Sequence, residues 1–269
     1  MTTGTVVITG AAGGMGRPAA QRFAAQGRPL LLCDLDAGRL AALAEELRSP
    51  GTTSTGTVSV LAADIAAEDF PAQVISALGE APLGALVHTA GLSPTMSDAR
   101  RIFAVNYHAT ERLIAALLPR FEAGGCAVLI SSVSAYMLAD PALLAAIKAF
   151  VLTGEDAGIA GYMDHPGMGY AISKRAVIAL VEREAAAFGA RGLRIASIAP
   201  GCIDTPMGLA EAEENAQLRA MIAMVPQQRM GHGDEIAAVA EFLCSPAASY
   251  ISGTDIRVDG GIIGHLGAR

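Results

Sequence analysis

The sequence predicts an α/β fold: a doubly wound parallel sheet of about seven strands in a single domain. Short apolar runs alternate along the chain with amphipathic stretches of helical period. A glycine-rich turn directly follows the first of those runs. The 269 residues suffice for one large α/β domain and do not require a second.

Strands are expected near Thr5–Thr9, Pro29–Asp34, Val58–Ala62, Ala85–Thr89, Ala127–Ser132, Leu193–Ile198 and Asp255–Val258. Crossover helices are expected between them at Met15–Gln26, Ala37–Arg48, Ala66–Leu78, Asp98–Leu118, Met168–Phe188 and Asp234–Cys244. The small, polar run Gly51–Gly56 reads as a loop, and no internal repeat is present. Two stretches exceed this alternation. In the first, about 133–169, Asp140 and Pro141 form a helix start, followed by Leu143, Leu144, Ile147 and Phe150 on one face, so a helical insertion is expected. The second, about 206–226, is rich in Met and Leu and is expected to be a helical lid over an apolar substrate. Its competing reading is a surface helix whose Met side chains pack downward.

Apolar residues make up 52% of the chain and charged residues 17%, which excludes disorder from want of a core. The formal charge of −7 argues against nucleic acid or an anionic membrane as partner, because both require clustered Lys and Arg. A small molecule is the expected partner. Cys33, Cys126, Cys202 and Cys244 form no CxxC, so no metal site and no disulfide framework are expected, and a reducing cytoplasm fits. The first ten residues lack a basic stretch ahead of their apolar run, which reads as neither signal peptide nor membrane span.

The first strand leads into TGxxxGxG at Thr9–Gly16. Gly10, Gly14 and Gly16, with Met15 among them, make a turn free enough of side chains for backbone and helix N-terminus to approach a pyrophosphate. About twenty residues on, the second strand ends in Asp34, the position of a carboxylate that hydrogen-bonds an adenosine ribose. A 2′-phosphate would meet that carboxylate with like charge, and no Lys or Arg lies between Gly10 and Gly16, so Asp34 selects NAD, with Leu35 beside it. Asp36 is its rival, unless it caps the next helix. After the third strand, Asp64 and Ile65 offer an acceptor and an apolar wall to adenine, although Asp64 is equally placed to cap a helix.

Reducing a ketone requires a proton donor at the carbonyl oxygen, and the reverse reaction a base. Tyr170 and Lys174 form YxxxK, and the spacing of four places both on one helical face. A free phenol has a pKa of about 10, and a neighbouring ammonium favours its phenolate. Tyr170 is therefore the acid/base and Lys174 its tuner. The chain has two lysines, Lys148 and Lys174, and Tyr107, Tyr136, Tyr162 and Tyr250 all lack one four residues on. A hydroxyl at the end of the fifth strand can polarise the substrate carbonyl, and Ser132 is chosen over Ser131, whose side chain alternation sends to the opposite face. Asn106, a mediocre helix former in mid-helix, is placed to anchor a proton-relaying water near Lys174 or simply to lie on a polar face.

In this order, TGxxxGxG, Thr89-Ala90-Gly91, Asn106, Ser132, Tyr170 with Lys174, and Pro200-Gly201 with Thr205 resemble the short-chain dehydrogenase/reductase superfamily. The resemblance spans nearly the whole chain and implies a Rossmann domain with a tetrad of Asn106, Ser132, Tyr170 and Lys174. It implies that Ala90 and Gly91 line the cofactor, that Pro200 and Gly201 border it, and that Ile203 backbone and the Thr205 side chain hold the carboxamide. Where the family has Asn-Asn-Ala-Gly, this chain has His88-Thr89-Ala90-Gly91, so the fourth strand must be braced differently and His88 reads as structural. The long separation of Ser132 from Tyr170 and the run Ser245–Tyr250 resemble the bacterial 3α-hydroxysteroid dehydrogenase/carbonyl reductase branch.

The expected activity is thus NAD-dependent interconversion of an apolar secondary alcohol, such as a hydroxysteroid or another alicyclic alcohol, with its ketone. Met137, Leu138, Met207, Leu209, Met221 and Met224 are the candidate lining of the substrate pocket. The insertion precedes the helix that relatives use for subunit packing, so a homodimer is expected in place of the homotetramer common among them. A methyltransferase shares the alternating sheet and glycine turn but requires no Tyr–Lys pair. A nucleotide-sugar epimerase is usually longer, and a silent NAD(H)-binding regulator keeps the turn but loses the acid/base.

Overall fold

The computed structural model describes residues 2–49, 56–214 and 216–267. Strands β1 (Thr5–Thr9), β2 (Leu30–Asp34), β3 (Val58–Ala62), β4 (Leu83–His88), β5 (Phe121–Ile130), β6 (Arg194–Pro200) and, last in the chain, β9 (Thr254–Val258) form one parallel sheet. Its order is β3-β2-β1-β4-β5-β6-β9. Strand order reverses between β1 and β4, and the crevice beyond their carboxyl ends is where open α/β sheets bind ligands. A second, two-stranded pair, β7 (Ile203–Asp204) with β8 (Gly231–His232), was not expected; two residues per strand are too few to show a period.

Helices cover both faces of the sheet. One apolar core packs α1 (Gly16–Ala25), α2 (Ala37–Arg48) and α11 (Gly233–Leu243) against it. The other packs α3 (Phe70–Leu78), α5 (Ala109–Leu117) and α8 (Pro166–Gly189), with α4 (Ala99–Phe103) continuing into α5. Strands β1, β2, β4 and β6 are buried almost throughout, as aliphatic strands covered on two faces must be, while the edge strands β3 and β9 are largely exposed or half-buried. No helix among the described residues is long and apolar enough to cross a membrane.

Several boundaries depart from expectation, each for a local reason. Helix α3 starts at Phe70 rather than Ala66, because Asp64 first folds a turn onto the Ala66 N–H and Pro71 then sits in the first helical turn. The stretch expected as one helix, Asp98–Leu118, is broken by a π-helical turn at Ala104–His108. Strand β5 begins at Phe121, ahead of the expected Ala127, and the Gly51–Gly56 loop lies, apart from Gly56, outside the described residues.

Within 133–169 the chain makes a 3₁₀ turn, Val133–Tyr136, then α6 (Pro141–Thr153) and α7 (Ala157–Ala160), before α8 starts at Pro166. Asp140 caps α6 by accepting from the Ala142 N–H at 2.9 Å, and Gly154 ends it in the left-handed conformation. Leu143, Ile147, Phe150 and Val151 are buried in the α8-side core, while Leu144 is half-buried. The Phe150 ring sits 5.3 Å from that of Tyr107, and Arg183 of α8 donates to the Val151 carbonyl at 2.6 Å. The residues 206–226 form α9 (Pro206–Glu214) and α10 (Ala216–Ala223), and the chain then passes β8, α11 and β9 to α12 (Ile262–Gly267).

Candidate active site

Backbone crowding dictates glycine in the turn after β1. A Cβ on Gly16 would lie 2.1 Å from the Gly10 carbonyl oxygen, and one on Gly14 would lie 2.5 Å from the Thr205 side chain. Gly10 has φ of +63° and packs 2.8 Å from the Ala90 N–H nitrogen by the same measure. The turn is therefore pressed between the exit of β4 and Thr205. Met15, the cap residue of α1, makes no side-chain capping bond, and with Gly13 and Gly14 it lines the cleft, so the positive end of that helix faces it.

That cleft encloses about 620 Å³ and runs from the glycine turn past Asp34 and Leu35, Asp64 and Ile65, to Ala90 and Gly91. Asp34 accepts from the Ala12 N–H at 2.9 Å and the Asp36 N–H at 3.1 Å, which points its carboxylate into the mouth of the cleft. Asp36, its rival, caps α2 through the Arg39 N–H at 3.0 Å. Arg39 itself donates to the Ala12 carbonyl at 2.7 Å and lines the same mouth. Sequence reading missed this guanidinium, since it sought positive charge only within the turn. Asp64 does not cap α3, whose cap residue is Asp69; one oxygen takes the Ala66 N–H and the other pairs with Arg101 at 3.1 Å.

A smaller pocket of about 120 Å³ adjoins the cleft and is lined by Ser132, Tyr170, Lys174, Gly91, Pro200 and Thr205, with Gly201 and Ile203 on the same wall. Gly169 lets α8 approach α4 closely just before Tyr170, because a Cβ there would fall 2.6 Å from that of Ala99. Lys174 lies one turn further on, only 6% exposed, with its Nζ 5.6 Å from the centre of the Tyr170 ring. Nζ donates to the Ile130 carbonyl at 2.9 Å, and burial pushes its pKa down to about 8.

Ser132 leaves the end of β5 and opens the 3₁₀ turn, accepting from the Ser134 N–H at 3.2 Å. Ser131 turns the other way. It donates to the Ile198 carbonyl at 2.9 Å and to Asp255, a carboxylate that also holds Ser197 and, at 2.7 Å, Tyr136. Asn106 sits in the π-helical turn and is 2% exposed, so the polar-face reading does not hold. Its amide grips both backbone groups of Leu92, at 2.8 and 3.0 Å, and donates to Ser173 at 3.2 Å. It faces Lys174 across Gly91: a Cβ there would be 3.0 Å from Asn106 Oδ1 and 3.6 Å from Nζ.

His88 lies in the core between two hydroxyls, Thr9 at 2.7 Å and Thr110 at 2.8 Å. Thr110 donates to the Asn106 carbonyl at 2.8 Å, so it must accept from Nε2–H, leaving Nδ1 to accept from Thr9. The neutral imidazole thus supplies the bracing of β4 in place of asparagine.

The apolar residues distribute differently from the expected pocket. Met207 lines the cleft, joined by Leu92, Met96 and Val105, which sequence reading missed. Met137 and Leu209 are largely exposed, Leu138 packs on the core, and Met221 and Met224 pack against Val133, Val225 and Ile262.

Residues 4–154 match the family model described as short chain dehydrogenase, and residues 157–263 the one described as Enoyl-(Acyl carrier protein) reductase. The chain belongs to the short-chain dehydrogenase/reductase family. It resembles the 3-alpha-hydroxysteroid dehydrogenase/carbonyl reductase of Comamonas testosteroni, with 38% identity over 187 residues, 66% of this chain and 71% of that protein. Short-chain dehydrogenase/reductase bsc3 of Alternaria brassicicola is 31% identical over 99% of this chain and 98% of its own length. The crystal structure of the 3-alpha-hydroxysteroid dehydrogenase from Pseudomonas sp. B-0831 complexed with NADH superposes with a TM-score of 0.78 at 26% identity, covering 98% of this chain and 99% of that one. Short-chain dehydrogenase/reductases are oxidoreductases that use nicotinamide cofactors on small alcohols and ketones.

Proposed function

We propose that this short-chain dehydrogenase/reductase interconverts an apolar secondary alcohol and its ketone with NAD(H), the substrate class being hydroxysteroids or other alicyclic alcohols. The observation that carries the reading is the meeting of Ser132, Tyr170 and Lys174 in one pocket at the inner end of a glycine-walled cleft. The cleft fits a dinucleotide, because added Cβ atoms on Gly10, Gly14 and Gly16 would collide with backbone or with Thr205, and the adjoining helix end is uncapped.

Gly10, Gly14, Met15 and Gly16 would hold the pyrophosphate, Asp34 and Leu35 the adenosine ribose, and Asp64 and Ile65 the adenine. Ala90, Gly91, Pro200, Gly201, Ile203 and Thr205 would border the nicotinamide. When bound, that ring supplies or accepts the hydride. In reduction the Tyr170 hydroxyl gives its proton to the carbonyl oxygen, and in oxidation its phenolate takes the proton from the alcohol. The Lys174 ammonium favours that phenolate, and the Ser132 hydroxyl polarises the substrate oxygen. Asn106 holds the backbone of Leu92 and donates to Ser173, the residue before Lys174.

Asp34 supports NAD, since its carboxylate repels a 2′-phosphate and Arg39 is already tied to Ala12. Asp34→Ala is expected to weaken NAD binding roughly tenfold, the scale of one charge-assisted hydrogen bond, and to relax the bias against NADP. Titration with both cofactors checks this, and an unchanged preference moves the selector elsewhere.

Burial of α6 against α8 supports a dimer in place of a tetramer. Light scattering of the purified protein should give twice the chain mass, and a tetramer packed through α8 contradicts it. The four cysteines are buried free thiols, which supports a reducing cytoplasm. The decisive experiment for the activity is a panel of alicyclic alcohols and hydroxysteroids with NAD or NADP, read by reduced-nicotinamide absorbance. Absence of turnover with every member would favour a silent NAD(H)-binding regulator.

A further inference from the structure

A third apolar cluster, separate from the two cores, lies beneath the lid. Val133, Val225 and Ile262 are buried there, and Met221, Met224, Ile263 and Leu266 pack around them. Val133 directly follows Ser132, Val225 ends the lid, and Ile262 begins α12. The cluster therefore joins the substrate pocket, the base of the lid and the C-terminal helix.

Helix α12 is placed firmly enough to serve as an anchor. Asp259 accepts from the Gly261 N–H at 2.9 Å and the Ile263 N–H at 3.1 Å, fixing the helix to the end of β9. The strap that leaves the lid lies on the same turn. Gln227 donates to the Gly260 carbonyl at 3.3 Å, and a Cβ on Gly260 would lie 2.6 Å from Val225 Cγ1. Gln228 has φ of +56° and is the only non-glycine residue with positive φ among those described; its N–H bonds to the Val225 carbonyl at 2.9 Å. A strained residue held in this way marks a hinge whose setting the surroundings determine.

The other half of the lid faces the cleft. Thr205 starts α9 by accepting from the Gly208 N–H at 3.0 Å, and Met207 reaches over the cleft. Arg219 of α10 clasps the two helices together, donating to the carbonyls of Ala212 at 2.7 Å and Glu213 at 2.9 Å. Movement at the base of α10 is thereby carried to α9.

We propose that α12 is a positioning element for substrate: Ile262 and Leu266 fix the base of α10, and through it seat Met207 over the cleft. The proposal rests on the reading of that cleft as the substrate site. Ile262→Ala empties the centre of the cluster, and Leu266→Ala trims only its partly buried rim, so the second variant keeps the test open if the first folds poorly. Ile262→Leu is the conservative control.

The full chain, saturated with NADH, is digested with trypsin, and cleavage after Arg219 is timed. The same proteins are assayed for NADH-dependent reduction of trans-2-decalone, and NADH affinity is read from its fluorescence. Both alanine variants should be cut at Arg219 about fivefold faster or more, in line with a weakened local closure. Their KM for decalone should rise roughly tenfold, while kcat and NADH affinity stay within about twofold of the parent. Ile262→Leu should restore both readouts. Unchanged cleavage and KM in both alanine variants overturns the proposal, and so does a loss of NADH affinity that keeps pace with the rise in KM. If the parent chain reduces no ketone, the functional reading fails, and the cleavage rates alone then decide the role of α12.

Discussion

Replacing Tyr170 by Phe is expected to lower kcat by about 10³-fold, inside the range of roughly 10²–10⁴ that a positioned proton donor contributes. NADH affinity should stay within about twofold, because the variant removes one oxygen and keeps the ring that packs beside Lys174. The asymmetry follows from the arrangement of the pocket. Lys174 is anchored by the Ile130 carbonyl, so its ammonium stays in place when the hydroxyl is gone. Ser132 can still polarise the substrate oxygen, yet at pH 7 it has no proton of suitable acidity to give. Steady-state assay with the best alcohol of the panel, together with NADH fluorescence titration, checks both halves. Activity within tenfold of the parent would remove Tyr170 from the proton-transfer step.

Burial gives Lys174 its second property. Among the described residues no carboxylate lines its pocket, and desolvation by burial brings its pKa down to about 8. An ammonium so poorly solvated is strongly inclined to share its charge with a neighbouring phenolate, which is the condition the acid/base role requires.

What the sequence revealed of this site follows the range over which each signal acts. The glycine turn and the Tyr170–Lys174 pair are set by spacings of a few residues within one element, and their placement could be read from local pattern. Alternation separated Ser131 from Ser132 but did not say which faced the pocket. That choice depends on Asp255, whose carboxylate draws Ser131 to the far side from a strand more than a hundred residues later. Arg39 was missed for a similar reason, as its side chain returns from α2 to the glycine turn. The π-helical turn at Asn106 leaves no compositional mark, because one extra residue in a helix shifts the period without changing residue types. Met221 and Met224 read as lid residues facing substrate, and their packing against Ile262 of α12, some forty residues on, has no local signal.

The histidine that replaces the family asparagine should make the fold acid-sensitive in a defined window. His88 is 3% exposed, and its pKa is pushed down to about 3, first by burial and then by the nearby Lys174 ammonium. Its ordinary value is about 6.5, so between those limits the unfolded chain binds a proton that the native state refuses. Stability from this group is therefore complete above pH 6.5 and is lost as pH falls toward 3. At pH 4.5 the loss amounts to about 3 kcal/mol, a large share of the 5–15 kcal/mol that typically holds a domain folded. The hydrogen bonds suit the neutral ring that burial and the Lys174 ammonium impose. Nδ1 accepts from Thr9, and a protonated ring would require that hydroxyl to turn its hydrogen away. Urea unfolding at pH 7 and pH 4.5 measures the effect, with His88→Asn as the comparison. The variant should be less stable at pH 7, having lost a well-filled brace, yet should lose about 3 kcal/mol less on acidification. Equal acid sensitivity in the two proteins would place the titrating group elsewhere. Because His88 connects β1, β4 and the turn carrying Asn106, its protonation should loosen the walls around Lys174 before the outer helices.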